Sequence, residues 1–164
     1  TYLLAFAVAE GNSIFVGFLV NEKRYNAAHK TTNYALKITI IVSIIIGTII
    51  AIIGKDIVGL LTDNKEIILL TAIVVWVDIT LEVGRALNMI VIQALRAAGD
   101  YIFPVAFGAV SMWLIAVGCS YLFGISFGWG LVGIWLAFSL DENIRGWVML
   151  NRWNKRDWQK KKKQ

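Results

Sequence analysis

Hydrophobic positions in this chain come in long unbroken runs rather than in the alternations or narrow stripes of a water-soluble fold. Between Lys37 and Lys55 the sequence reads Ile38-Thr-Ile-Ile-Val-Ser-Ile-Ile-Ile-Gly-Thr-Ile-Ile-Ala-Ile-Ile-Gly54, and the 40 residues from Tyr101 to Leu140 carry no charge. One membrane helix needs about 20 residues, so the second run holds two. The pattern predicts an all-α integral membrane bundle of five transmembrane helices, at 2–20, 33–54, 65–95, 102–123 and 131–150, making up a domain over 1–150. A basic tail is expected over 151–164. Punctuation supports these limits. Thr62-Asp63-Asn64 offers N-cap chemistry to the third helix, Ala97-Ala98-Gly99 forms a small-residue stop, and Pro104 falls in a first turn, where proline is tolerated.

The third helix breaks the apolar rule in an ordered way. At about 100° per residue, Asp78, Glu82 and Arg85 fall within roughly 60° of one face, with Asn88 one turn further along. An ionisable residue near the bilayer centre costs about 2.5–3.5 kcal/mol on insertion scales, so such a stripe belongs against a bundle interior or a watery cavity. Two readings stay open for Glu82 and Arg85: cavity-lining groups, or a pair that neutralises itself at i, i+3. Asp78 has no assigned partner and is the better functional candidate. Glu10, within Glu10-Gly11-Asn12-Ser13 of the first helix, joins the candidates for partner packing or cavity lining. In the fifth helix, Asp141 and Glu142 with Arg145 three and four residues on read as a structural intramembrane ion pair.

Composition agrees with the pattern. Hydrophobic residues make up 58% and charged residues 16% of the 164, with mean hydropathy +0.67, against about 25% charge in soluble domains. The formal net charge of +5 is concentrated in Arg152, Lys155, Arg156 and Lys160 to Lys163, which reads as a cytoplasmic, lipid-facing tail and not as a nucleic-acid interface. Trp147, Trp153 and Trp158 read as interfacial anchors above it. Loop charge alternates along the chain, so the first helix is expected to descend to the cytoplasm and the C-terminus to lie inside. His29 falls in the expected first loop as a surface residue, and Cys119, the single cysteine, as a buried hydrophobe. The sequence opens at Thr1 inside an apolar run, so no signal peptide is expected and the sequence is expected to begin within a longer protein. An intramembrane enzyme would need a nucleophile with a base, or a metal cluster, at mid-depth. The expected spans contain no histidine, and no metal site or enzymatic activity is expected.

Leu95-Arg-Ala-Ala-Gly-Asp100 followed by Phe103-Pro104, then Gly108 with Ser111-Met-Trp113, then Gly130-Leu-Val-Gly-Ile-Trp135, resembles the C-terminal lobe of multidrug and toxic compound extrusion (MATE) transporters. Val16-Gly17 with Ala27-Ala28 is similar to the end of that family's eighth helix, and Leu60 to Glu66 to its ninth-to-tenth connector. The resemblance implies that the five helices are the eighth to twelfth of a two-lobe, twelve-helix bundle, with the N-terminal lobe as partner. It implies an antiporter in the cell membrane that exports cationic amphipathic compounds, the cation being sodium or a proton and no cofactor being required. The tenth-helix position that carries an acid in some sodium-coupled members falls near Arg85, which leaves Asp78 and Glu82 to supply the charge. The alternatives are a lipid-linked oligosaccharide flippase of the same superfamily, which calls for more cavity-facing Arg and Lys, and a non-transporting membrane scaffold, which calls for Asp78 sealed against Arg85.

Overall fold

A computed structural model describes residues 1–159, and the Lys160 to Lys163 part of the expected basic tail lies outside them. Five long helices run back and forth: α1 (Tyr2–Asn21), α2 (Tyr25–Gly59), α3 (Lys65–Ala97), α4 (Ile102–Ser126) and α5 (Gly130–Lys155), followed by a 3-10 turn at Asp157–Gln159. Four of them, α1 to α4, are long and apolar enough to cross a membrane. α5 has 26 residues, enough length to span, but its centre carries Asp141, Glu142 and Arg145, which are ion-paired with one another inside the bundle.

The turns follow from local chemistry. Asn64 caps α3, its side chain accepting from the Glu66 amide at 2.9 Å, and Glu66 adds a negative charge to the first turn. At the other end of α3, Gly99 adopts φ +90°; its amide donates to the Arg96 carbonyl at 2.9 Å and the Asp100 amide to the Leu95 carbonyl at 2.8 Å. This paired closure needs a residue without a Cβ at the left-handed position. α4 is wound more widely than an α-helix over Met112–Val117 and Tyr121–Ser126, on either side of Gly118–Ser120.

α3 is the central helix, packing against α1, α2 and α5. Its close approach to α5 depends on glycine: a Cβ at Gly146 would lie 2.7 Å from the Leu87 Cβ and 3.1 Å from the Gly84 carbonyl oxygen. Small residues serve this purpose between membrane helices, where lipid is as apolar as the side chains and contact must come from close packing.

The apolar core gathers at the end of the bundle that holds the α1–α2 turn, the α3–α4 turn and the C-terminal turn, here called the tail end. Val16, Val20, Ile90, Leu95, Met149, Trp153 and Trp158 are buried there. Trp158 stacks on Trp153 with ring centres 4.6 Å apart, and His29 also stacks with Trp153, at 6.0 Å. Asp100, fully buried, accepts from the Arg152 Nε at 2.5 Å and Nη2 at 3.1 Å, and the same guanidinium lies 4.1 Å from the Phe103 ring centre.

Several expectations need correction. The second helix begins at Tyr25, not at 33, because Ala28, Thr32 and Leu36 continue one buried face into a stretch whose polar residues disguise it. The fourth helix runs to Ser126 and the fifth to Lys155, so the first five residues of the expected tail are helical. Trp153 and Trp158 are core residues rather than interfacial anchors; Trp147 remains exposed. His29 is no loop residue. It stands on α2 and bridges to α5 through Asn154 at 3.1 Å.

Candidate functional site

The polar stripe of α3 meets the charged segment of α5. Because α3 and α5 touch along Gly84 and Gly146, side chains one turn to either side are brought within hydrogen-bond reach. Asn88 Nδ2 donates to Glu142 Oε2 at 2.7 Å, and Arg145 Nη2 donates to Glu142 Oε1 at 3.0 Å and to Asp141 Oδ2 at 2.8 Å. Ser111 of α4 donates its hydroxyl to Asp141. Further along, Thr80 and Ser139 share a hydroxyl contact at 2.7 Å, and Asn143 donates to the Thr80 and Ser139 carbonyls at 2.9 and 2.8 Å. A polar seam thus ties α3, α4 and α5 together within an apolar bundle.

Each sequence candidate has a definite place on or beside this seam. Glu82 is buried and ion-paired with Arg85, while its second oxygen, Oε2, is buried without a hydrogen-bond partner among the described residues. Arg85 lies with its guanidinium 5.6 Å from the Tyr2 ring centre. Asn88 Oδ1 is likewise buried and unpartnered. Asp78, half-buried, is not sealed against Arg85; it accepts from the indole Nε1 of Trp135 at 3.1 Å. Glu10 accepts from the Gln93 amide, which ties α1 to α3.

A cleft of about 300 Å³ opens between α1 and α3, lined by Tyr2, Phe6, Arg85, Asn88, Gln93 and Glu142, with Arg96 also on its wall. A second cavity, about 410 Å³, lies where α4 and α5 meet and is bounded by Arg85, Trp135, Asp141, Glu142 and Arg145. Arg85 and Glu142 line both. Of the candidates, Arg85 and Asn88 therefore face the first cleft directly, whereas Glu10 reaches it through Gln93 and Asp78 sits apart beside Trp135.

The charge balance is uneven. Three carboxylates, Glu82, Asp141 and Glu142, share two guanidiniums, and the two others, Asp78 and Glu10, are met by the neutral donors Trp135 and Gln93. Surplus carboxylates in a low-dielectric bundle are tolerated when a proton, a metal cation or a cationic molecule neutralises them. Sequence reasoning missed Gln93 and Trp135. Gln93 lies eleven residues, three helical turns, after Glu82 and so continues the same stripe. Trp135, on another helix 57 positions from Asp78, left no such signal.

A family model described as MatE matches residues 1–122. The chain is 38% identical over 156 residues to an "Uncharacterized transporter YisQ" of Bacillus subtilis (strain 168), a match covering 95% of this chain and 34% of that protein. It is 24% identical over 136 residues to a "Probable multidrug resistance protein NorM" of Bacillus licheniformis, covering 83% of this chain and 30% of that one. A protein of the same description from Synechococcus sp. is 34% identical over 62 residues, 38% of this chain and 13% of its own length. The chain spans about a third of the length of the first two of these relatives. No solved structure matches it.

Proposed function

The chain belongs to the MatE family of multi-pass membrane transporters, and from that premise we propose that it forms the C-terminal helices of an antiporter that exports cationic amphipathic compounds in exchange for sodium or protons. The observation that carries this reading is the surplus of carboxylates: Glu82, Asp141 and Glu142 share two guanidiniums, and Asp78 and Glu10 are met by neutral donors among the described residues, so that even with Arg96 on the cleft wall five acids stand against three guanidiniums. A cationic substrate and a coupling cation would compete for that surplus, which is the thermodynamic requirement for exchange. The apolar and aromatic wall of the first cleft, Tyr2 and Phe6, suits the lipophilic part of such a compound. The other wall would come from the remaining lobe of the whole protein, as in transporters built from paired repeats. An oligosaccharide-lipid flippase needs several unpaired cations for pyrophosphate, whereas Arg85 and Arg145 are both engaged by carboxylates and Arg96 alone of the cleft-lining cations has no ion pair among the described residues.

Asp78 is proposed as the exchanging carboxylate because no cation pairs with it among the described residues, while Glu82 is held by Arg85. In the full-length protein, Asp78→Asn keeps the size and the acceptor for Trp135 while removing the charge. Export driven by a proton or sodium gradient should fall at least tenfold, about 1.4 kcal/mol in transition-state terms, with membrane abundance unchanged. Export at the parental rate across the pH and sodium range would make this carboxylate structural.

Loop charge supports placing the tail end in the cytoplasm. In a Cys119→Ala background, a cysteine at Asp63 should react with an impermeant thiol reagent in whole cells and one at Lys30 should not; both positions are exposed. The reverse labelling would invert the topology.

A further inference from the structure

The tail-end half of the bundle carries a groove on its outer surface that shares no lining residue with the two cavities of the polar seam. It is about 460 Å³ in volume and runs between α2 and α5 over α3. Its walls are mainly aliphatic, from Leu36, Ile40, Val83, Leu87 and Leu150 with the Trp147 indole beside them, and its rim is polar, from Asn33, Lys37 and Asn154. Lys37 and Lys55 bracket the uncharged part of α2 and lie 18 residues, about 27 Å, apart along the helix, close to the roughly 30 Å of a hydrocarbon core. Lys37 is therefore at the level of the lipid headgroups, and the aliphatic walls lie below it at the level of the acyl chains.

The rim selects for charge. Lys37 is the one ionisable residue among those lining the groove, and it makes no ion pair among the described residues. Lys30, exposed, precedes it by seven residues, two turns, on the same face. The amides are also ordered. His29 Nε2 contacts Asn154 Oδ1 at 3.1 Å, and Asn33 Nδ2 contacts His29 Nδ1 at 3.3 Å. Both bonds are satisfied when Nε2 carries the proton, which occupies the Asn154 carbonyl and leaves its amide protons as donors. A cation and oriented N–H groups above an aliphatic slot match a phosphate on a diacyl chain.

We propose that this groove is a binding site for a phospholipid with a net negative headgroup, its phosphate at Lys37 and Asn154 and one acyl chain between α2 and α5. Zwitterionic lipids carry their own cation beside the phosphate and gain less from Lys37 and Lys30. The site depends on residues that take no part in the seam.

The test uses the full-length protein in bilayers of equal phosphatidylglycerol and phosphatidylcholine, with lipids that remain bound counted by native mass spectrometry. The parent should retain phosphatidylglycerol preferentially. Lys37→Gln should lower that preference about fivefold, the scale of one basic residue at an anionic surface, and Lys55→Gln, at the opposite end of the same helix, should leave it unchanged. No preference in the parent, or equal loss in both variants, would overturn the site. A photoreactive residue replacing Ile41, which lines the groove, should capture lipid; capture of another segment of the protein would show that the groove is a protein contact and would refute the proposal.

Discussion

Replacing Arg145 by leucine should cost the bundle about 3–5 kcal/mol, the usual penalty for removing one partner of a buried ion pair. Arg145 holds Asp141 at 2.8 Å and Glu142 at 3.0 Å, and the side chains of Asp141 and Arg145 are only 4% and 19% exposed, so water screens them little. Without the guanidinium two adjacent carboxylates are left against α3 and α4, with the Ser111 hydroxyl and the Asn88 amide as the remaining donors. The full-length variant should show lower membrane abundance and a lower melting temperature in detergent. Adding Asp141→Asn and Glu142→Gln should recover most of the loss, because the penalty lies in stranded charge rather than in missing volume. If Arg145→Leu melts with the parent, the α5 charge set is not what lets this helix sit within the bundle.

Gly146→Ala should be nearly as damaging although it adds a single methyl group. The new Cβ would meet the Leu87 Cβ at 2.7 Å and the Gly84 carbonyl oxygen at 3.1 Å, and neither can rotate away. α5 would have to retreat from α3, which loosens the Asn88–Glu142 bond one turn away. Overpacking of this kind costs about 1–3 kcal/mol, and here it also forfeits interhelical hydrogen bonds. Gly17→Ala is the matched control. Nothing lies within 4 Å of a Cβ built there, and alanine favours a helix over glycine by about 1 kcal/mol, so that variant should equal or exceed the parent. Equal melting temperatures for the two variants would remove the close-packed α3–α5 contact from the explanation of the fold.

Much of this architecture was written in local pattern. The third helix announced its importance because Asp78, Glu82 and Arg85 recur at helical spacing in an apolar stretch, and α3 is the central helix. Pairs three and four residues apart, Glu82 with Arg85 and Asp141 and Glu142 with Arg145, were legible for the same reason. Contacts between distant positions were not. Glu10 finds Gln93 across 83 positions, and Asp78 finds Trp135 across 57, so no periodicity links them. The start of α2 was hidden by composition: Asn26, His29 and Lys30 look like loop residues until Ala28, Thr32 and Leu36 are seen to form one buried face. The tail was misjudged because tryptophan followed by lysine fits a membrane interface, whereas Trp153 and Trp158 stack on each other under His29. The wide windings of α4 had no sequence signal beyond Gly118.

The bond between Asp100 and Arg152 fixes where motion can begin. It joins the α3–α4 turn to α5 at the tail end, beside the stacked tryptophans, whereas the opposite end of α5 starts at the turn after Gly128. From Arg152 back to Gly130 is 22 residues, about 33 Å, and between them α5 is held to α3 at Gly146 and by the Thr80 contacts of Ser139 and Asn143, so a swing of α5 about the clamp would have to part that seam. A rotation of about 10° there would carry the far end through about 6 Å while hardly disturbing the clamp itself, the geometry of hinge motion. The mechanical advantage lies wholly on the side away from the tail.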